Sequence, residues 1–231
     1  MNNPVTIEPK VSVIVAVYNQ ERFIGRCLRS LLHQTIPHDT YEIIVVNDGS
    51  TDKTSYALEL FCDPSDSVVQ VITNEINIGL PASINRGIKA ARAPYIVRVD
   101  SDDFVNSNFI NFLHFYLENN IHADAVACDY LLLNDTENVL EQCDCQKKPI
   151  ACAIMFRKEQ LFDIGLYDEQ FHYHEERELR IRFEQKYKVY HLGVPLYRYR
   201  RHDSNITNDH KEMEEYRQAI IRKHGDVATD L

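Results

Sequence analysis

No apolar run in this chain approaches the roughly 20 residues that a membrane helix needs. The strongest, Val11 to Val17, Ile43 to Val46 and Tyr130 to Leu133, are far shorter, and the expectation is a chain that does not span a bilayer. The opening MNNPVTIEPK lacks the basic-then-apolar pattern of a secretory signal, so export by that route is not expected and the cytosol is the natural compartment. Cysteines at positions 27, 62, 128, 143, 145 and 152 form no CxxC pair and no disulfide framework. A chain of this length needs none, and they read as reduced thiols serving packing, with a zinc site from Cys143, Cys145, Cys152 and a histidine as the minor alternative. Positive charge is also scarce: 25 basic against 35 acidic side chains leave a net charge of -10. That excludes nonspecific nucleic-acid binding and strong attraction to an anionic membrane, leaving only peripheral membrane contact open. A bound phosphate would have to bring a cation with it. Internal repeats and low-complexity segments are absent as well.

What is present is enough for a sizeable core: 44% hydrophobic residues over 231 positions suit one globular domain or two fused halves. The first hundred residues alternate short β-branched runs with helical patterns, the signature of a parallel sheet with crossover helices. Strands are expected at 11–17, 42–46, 68–72 and 95–99. Phe23, Cys27, Leu28, Leu31 and Leu32 recur at helical spacing, as do Leu80, Ile84 and Ile88, and those faces should pack on the sheet. Further on, a helix is expected near 108–118, strands near 123–130 and 151–156, and a helix over 175–186. The polar stretch 134–148 reads as a loop or hairpin excursion. From about Asn208 a polar helix with Met213, Tyr216, Ile220 and Ile221 on one side should dock on the body or on a partner. The chain divides into a first half, 1–103, a second half, 104–207, and a helical tail, 208–231, fused as a single domain.

In an open parallel sheet, ligands bind beyond the carboxyl ends of the strands. The residues there are all polar: Tyr18 and Asn19 after the first strand, Asn47, Asp48, Gly49 and Ser50 after the second, Asp100, Ser101, Asp102 and Asp103 after the fourth. NDGSTD equally makes a turn that caps a helix N-terminus. Three carboxylates within DSDD repel one another unless a cation or strong hydrogen bonds compensate them. Asp100 and Asp102, two apart on an extended segment, can share one ion, and hard oxygen ligands suit Mn²⁺ or Mg²⁺, which also bind diphosphate.

Two further groups carry chemistry. Glu175 and Glu176 open a helical segment with Arg177, Arg180 and Arg182 behind them, an order that the helix dipole alone would favour. A carboxylate there could equally deprotonate an acceptor hydroxyl. His172 and His174 flank the spot, but HxHE is not a zinc-helix spacing. In LYRYRRHDSNIT, Arg198, Arg200, Arg201 and His202 make a local basic patch that suits a diphosphate, His202 being a candidate metal or phosphate contact.

These segments, in this order and over roughly residues 9 to 207, resemble the family 2 glycosyltransferases with the GT-A fold. The resemblance implies an α/β unit with a mostly parallel central sheet and helices on both faces. It further implies an inverting, metal-dependent transferase that passes a sugar from a nucleoside diphosphate sugar, UDP being the expected nucleotide, to a hydroxyl of a saccharide or lipid-linked saccharide acceptor in polysaccharide or glycoconjugate assembly. By the same similarity Tyr18, Asn19 and Asp48 contact the nucleoside. Asp100, Ser101 and Asp102 form the DxD element for ribose, metal and diphosphate, His202 helps hold metal and diphosphate, and Glu176 is the base beside Glu175. The chain departs from the family in having NDGS for DDGS, Ile84 where arginine often precedes Asn85, and Glu-Glu for Glu-Asp. Two readings compete: a nucleotidyltransferase, which would carry a Gly-rich basic loop after the first strand, and a noncatalytic sugar-nucleotide binder. A dinucleotide dehydrogenase is excluded by the missing GxGxxG.

Overall fold

In β1 (Val11–Val17) and β2 (Tyr41–Asn47) every residue is buried, as expected of parallel strands covered on both faces. Val11, Val13, Val15 and Val17 pack into one core with Ile24, Cys27, Leu28 and Leu31 of α1 (Ile24–Leu32). Ile14 and Ala16 point the other way, onto Ile84 and Ile88 of α3 (Leu80–Ala90). The period-two alternation of the strand thus feeds two helical layers. Two polar residues in these strands satisfy one another: Ser12 Oγ donates to Glu42 Oε1 at 2.6 Å, and Arg92 Nε donates to Glu42 Oε2 at 2.8 Å.

The computed structural model describes residues 8–62, 68–203, 205 and 210–225. The remaining elements are α2 (Thr54–Glu59), β3 (Val69–Thr73), β4 (Tyr95–Arg98), β5 (Phe104–Val105), α4 (Phe109–Asn119), β6 (Ala125–Leu133), β7 (Val139–Cys143), β8 (Ile154–Arg157), α5 (Lys158–Asp163), α6 (Glu175–Glu184), β9 (Val189–Arg200) and α7 (His210–His224). The sheet runs β3-β2-β1-β4-β8-β6-β9-β5, with β7 paired to β6. Pairing is parallel from β3 to β4 and antiparallel from β4 to β8 and β8 to β6. It is parallel again between β6 and β9, while β5 and β7 run antiparallel to their partners. Six of the nine strands among the described residues, β1 to β4 with β6 and β9, therefore point the same way, as the mostly parallel sheet expected from the sequence requires. α1 and α4 cover one face and α3, α5 and α6 the other.

Stretch 134–148 is in part a hairpin, with β7 returning along β6. The strand expected at 151–156 begins only at Ile154, after a kink in which Ala153 takes φ +66°. The long β9 has no counterpart among the strands expected from the sequence, because Gly193 and Pro195 interrupt its pattern. They fall where the register with β6 shifts around Asp129, so the interruption is a bulge within a strand. Of the tail, α7 docks on the body: Ile220 is buried with Phe171 and Ile181, with Tyr216 and Ile221 packed beside them. Asn208 lies outside the described residues.

One close approach fixes the spacing of α3 on the sheet. A Cβ on Gly87 would lie 2.7 Å from Ile14 Cγ2 and 3.3 Å from Val46 Cγ2, and Ile14 is fully buried. Overpacking of this kind costs about 1–3 kcal/mol, against about 1 kcal/mol that alanine gains over glycine in a helix. Gly87→Ala should therefore lower the urea midpoint with an unchanged slope; a midpoint at or above the parent's would contradict the packing described.

Candidate functional site

Because β2, β1 and β4 are parallel neighbours, their carboxyl ends open on one edge, and the polar residues that follow converge there. They wall a cleft of about 460 Å³. Tyr18, Asp48, Asp100 and Ser101 all line it, joined from the second half of the chain by His172 and Tyr173. Tyr18 keeps 45% of its surface exposed, enough to stack on a planar ligand.

Asp48 shapes the cleft as much as it faces it. Its Oδ1 accepts from Asn74 Nδ2 at 2.7 Å and from the Ile78 amide at 2.9 Å, and its Oδ2 from the Gly79 amide at 3.0 Å. That holds the loop before α3 against β2. Gly79 adopts φ +93°, and a Cβ there would sit 2.8 Å from His172 Nδ1, so only glycine lets this loop meet the second half. Asn19 is absent from the cleft wall. Its Oδ1 accepts from the amides of Thr51 at 2.8 Å and Asp52 at 3.3 Å, tying the loop after β1 to the loop after β2. Asn47, the residue that departs from the family pattern, likewise turns away: its Oδ1 accepts from the Ser50 amide and its Nδ2 donates to Ser55 Oγ. Asp52 Oδ1 accepts from the Thr54 amide at the start of α2, an Asx turn leading into the helix, while the N-cap position itself is Lys53 and carries no side-chain cap. Ile84 is fully buried in the core.

The four residues DSDD separate into different environments. Asp100 Oδ1 accepts from Arg98 Nε at 2.7 Å, and burial pushes its carboxyl up, with Arg98 pulling the other way. Asp102 Oδ2 lies 2.9 Å from His202 Nε2, and the His202 ring stacks on Phe23 with centroids 4.7 Å apart. The two residues expected to bind metal are thus together. Asp103 is turned inward: its Oδ2 accepts from the Tyr197 hydroxyl and its Oδ1 from the Arg200 amide, both at 2.7 Å. Burial and the neighbouring Asp102 and Asp100 raise its carboxyl well above the usual range.

Of the basic patch read from YRYRRH, Arg201 stays exposed, but Arg198 and Arg200 are taken up by the protein itself. Arg200 is 4% exposed and donates to the Asp102 carbonyl and to Glu137; Arg198 donates to the carbonyls of Pro195 and Tyr197. The alternating side chains of β9 carry these arginines into local contacts. Cysteines 143, 145 and 152 do not gather either. Cys152 lies beside Asp100 and Asp103, and Cys145 beside Asp129 and His191. His174 Nε2 meets the Met213 carbonyl, and Glu175 is held by Arg98, so the HxHE segment makes no zinc cluster.

Arg98 is not singled out by the sequence, where it reads as one charge in a strand. It is 7% exposed, and its Nη1 donates to Glu175 Oε1 at 2.8 Å while its Nε holds Asp100. The first turn of α6 is thereby fastened to the end of β4. Glu176, about 100° further round the helix, points elsewhere. Its Oε1 is buried without a hydrogen-bond partner, with Arg180 Nε at 3.6 Å. Burial pushes its carboxyl up to about 7, outweighing the opposing pull of Arg180. A carboxyl tuned to that range suits proton transfer near neutrality.

The family model of glycosyl transferase family 2 matches residues 12–159. An uncharacterized glycosyltransferase of Haemophilus influenzae is 39% identical over 118 residues, 51% of this chain and 36% of its own length. A poly(ribitol-phosphate) beta-glucosyltransferase of Bacillus spizizenii is 42% identical over 112 residues, 48% of this chain and 18% of its own length. The matches span about a third or less of those relatives. Among solved structures, residues 1–349 of TarS from S. aureus in complex with UDP-GlcNAc superpose with a TM-score of 0.76 at 21% identity, covering 93% of this chain and 66% of that one. A mannosyltransferase of Pyrobaculum calidifontis in complex with GDP-Man and Mn²⁺ gives 0.73 at 17% identity, over 94% and 65%. These likenesses establish the GT-A type of fold.

The Glu176 environment carries a stability consequence. A carboxyl raised from 4.5 to about 7 by folding costs stability once it is ionised. The deficit is absent below about pH 4.5, grows as pH rises, and is complete above about pH 7. Because a tenfold change in proton affinity corresponds to about 1.4 kcal/mol, the full deficit is on the order of 3 kcal/mol. Glu176→Gln should match the parent in urea denaturation near pH 4 and exceed it at pH 8. Equal stabilities at pH 8 would mean that the carboxyl is not raised.

Proposed function

Because the chain belongs to glycosyl transferase family 2, we propose that it transfers a sugar, with inversion at the anomeric carbon, from a nucleoside diphosphate sugar to an acceptor hydroxyl. The single observation that carries this reading is the junction at Arg98, where the carboxylate of a donor-side loop and the first turn of the glutamate helix are held by one buried guanidinium. UDP is the nucleotide we favour, supported by the fold shared with a UDP-GlcNAc complex. The relative acting on poly(ribitol-phosphate) supports a saccharide or polymer acceptor in surface polysaccharide or glycoconjugate assembly.

In this reading residues 1–103 hold the donor. Tyr18 stacks on the base, while Asp48 and Asn19 fix the loops that frame it. Asp100 and Ser101 receive the ribose and the adjoining phosphate. Residues 104–207 shape the acceptor site and supply the base, and within the tail 208–231 the helix α7 braces them. A divalent ion fits Asp102 and His202, a carboxylate oxygen and an imidazole nitrogen held side by side, while Arg198 and Arg200 are already engaged with the protein and Arg201 stays exposed beside them. Mn²⁺ or Mg²⁺ there would neutralise the departing diphosphate. The acceptor oxygen attacks the anomeric carbon as the bond to the diphosphate oxygen breaks on the opposite side, and the hydroxyl proton passes to Glu176. Glu175 keeps its bond to Arg98 and positions the helix.

A noncatalytic binder would have no use for a buried glutamate oxygen without a hydrogen bond, which costs stability and contributes nothing to donor affinity. Among the described residues no helix is long and apolar enough to cross a membrane. Five of the six cysteines are buried as free thiols, which supports a reducing compartment such as the cytosol.

Transfer rate and donor dissociation constant should be measured for Glu175→Gln and Glu176→Gln in parallel. Glu176→Gln should lose on the order of 10² to 10⁴ in turnover with donor affinity unchanged. The parent's kcat/KM should rise with pH along a limb centred near 7, the value to which burial lifts this carboxyl. Excess chelator should abolish transfer. Near-parental turnover in Glu176→Gln with a dead Glu175→Gln would move the base by one residue; full activity in chelator would remove the metal.

A further inference from the structure

Away from the donor cleft, three side chains from distant parts of the chain meet on the second half: Asp129 of β6, Cys145 in the loop after β7, and His191 of β9. One ligand atom of each lies within 4.8 Å of the other two. Asp129 Oδ1 is 2.7 Å from His191 Nε2 and also accepts from the Cys145 amide at 3.1 Å, so the backbone that carries the thiol is pinned to the carboxylate. Asp129 and Cys145 are each 7% exposed. Cys145 and His191 line a cavity of about 240 Å³, and the Asp144 carboxylate stands 4.0 Å from His191 Nε2.

We infer that Asp129, Cys145 and His191 form a binding site for a zinc-like divalent ion, separate from the donor cleft, with Asp144 or a water in the cavity as fourth ligand. The chemistry of the set carries the argument. A neutral thiol is a weak hydrogen-bonding partner and adds little to an aspartate–histidine pair. One sulfur, one imidazole nitrogen and one carboxylate oxygen are together a donor set for a borderline-soft ion, unlike the harder pair Asp102 and His202. Tetrahedral zinc with arms of about 2.0–2.3 Å keeps its ligand atoms roughly 3.3–3.8 Å apart, so closure asks for side-chain shifts of about 1 Å. The local field favours a cation: Asp129 and Asp144 flank the site, and Arg180, the guanidinium on the cavity wall, is shared between Glu176 and Glu184. As the sulfur–metal bond forms, the thiol proton leaves to solvent. The bound ion staples the 144–152 loop, which continues to Cys152 beside Asp103, onto β6 and β9.

Cobalt(II) titration of the full chain under reducing, oxygen-free conditions tests the site directly. One equivalent should produce the near-ultraviolet band of thiolate-to-cobalt charge transfer together with intense visible bands of a four-coordinate ion, and equimolar Zn²⁺ should erase both. Cys145→Ser should remove the charge-transfer band, and Cys152→Ser, which alters the other thiol near carboxylates, should retain it. His191→Gln should weaken zinc binding by more than the about 10- to 100-fold that an outer-shell partner is worth. Zn²⁺, and not Mn²⁺ at equal concentration, should raise the melting temperature of the parent by an amount that His191→Gln loses. Absence of the band in the parent, or its survival in Cys145→Ser, overturns the inference. Should Cys145→Ser fail to fold, an equal thermal response of parent and His191→Gln to Zn²⁺ overturns it as well.

Discussion

A guanidinium removed from water loses several kcal/mol of hydration, and it persists only where carboxylates replace that hydration with good geometry. Arg98 meets the condition twice, with Asp100 and Glu175 at 2.7 and 2.8 Å. The two partners are 75 positions apart in sequence, one leaving β4 at the donor edge, the other opening α6. Removing either carboxylate would leave N–H groups of a buried guanidinium without an acceptor, so the arrangement fixes both positions together. Every feature of the site that spans the two halves passes near this cation: the cleft wall from Tyr18 to Tyr173, the direction in which Glu176 leaves the helix, and the loop whose Gly79 touches His172.

The same demand for compensation governs the other buried and half-buried arginines of this strongly acidic chain. Arg200 is committed to Glu137 and the Asp102 carbonyl, Arg98 to two carboxylates, and Arg180 to Glu176 and Glu184. Their charges stabilise the scaffold.

Much of the framework was legible in the residues. Strands β1 and β2 announce themselves through short apolar, β-branched runs, Val13 to Val17 and Ile43 to Val46, and α1, α3, α4 and α6 through apolar spacing or charge order. The convergence of Tyr18, Asp48 and Asp100 follows from parallel pairing alone. What was hidden has physical causes. Strand β9 carries Gly193 and Pro195 at a bulge, so its alternation breaks. Asp103 looks identical to its neighbours in DSDD, and only Tyr197 and the Arg200 amide, nearly a hundred residues away, decide that it faces inward. Asn19 reads as a ligand contact because it is polar and follows a strand, yet the loop amides of Thr51 and Asp52 reach it first. Arg98 and the trio of Asp129, Cys145 and His191 depend on contacts between separated elements, for which a local pattern has no signal.

Two glutamates on one helix show how finely such contacts set chemistry. Glu178 is fully buried, yet Arg182, Lys223 and His224 all bond to it. Burial pushes its carboxyl up, but Arg182 and Lys223 together hold it below the usual range. Glu176, two residues earlier, has only a shared arginine at 3.6 Å, and there burial wins. The difference is the number of nitrogen groups within hydrogen-bond reach. Two of those around Glu178 belong to α7, whose Met213 carbonyl also meets His174 at the start of α6. His174 sits there in the left-handed region at φ +57°, a conformation that costs about 1 kcal/mol or more in a residue other than glycine and persists where surrounding contacts over-determine it. The tail therefore grips the glutamate helix at two points, one on each side of Glu176 in sequence. Glu176 is left, by contrast, with a buried Oε1 that no hydrogen bond reaches, and its carboxyl stays in the neutral range.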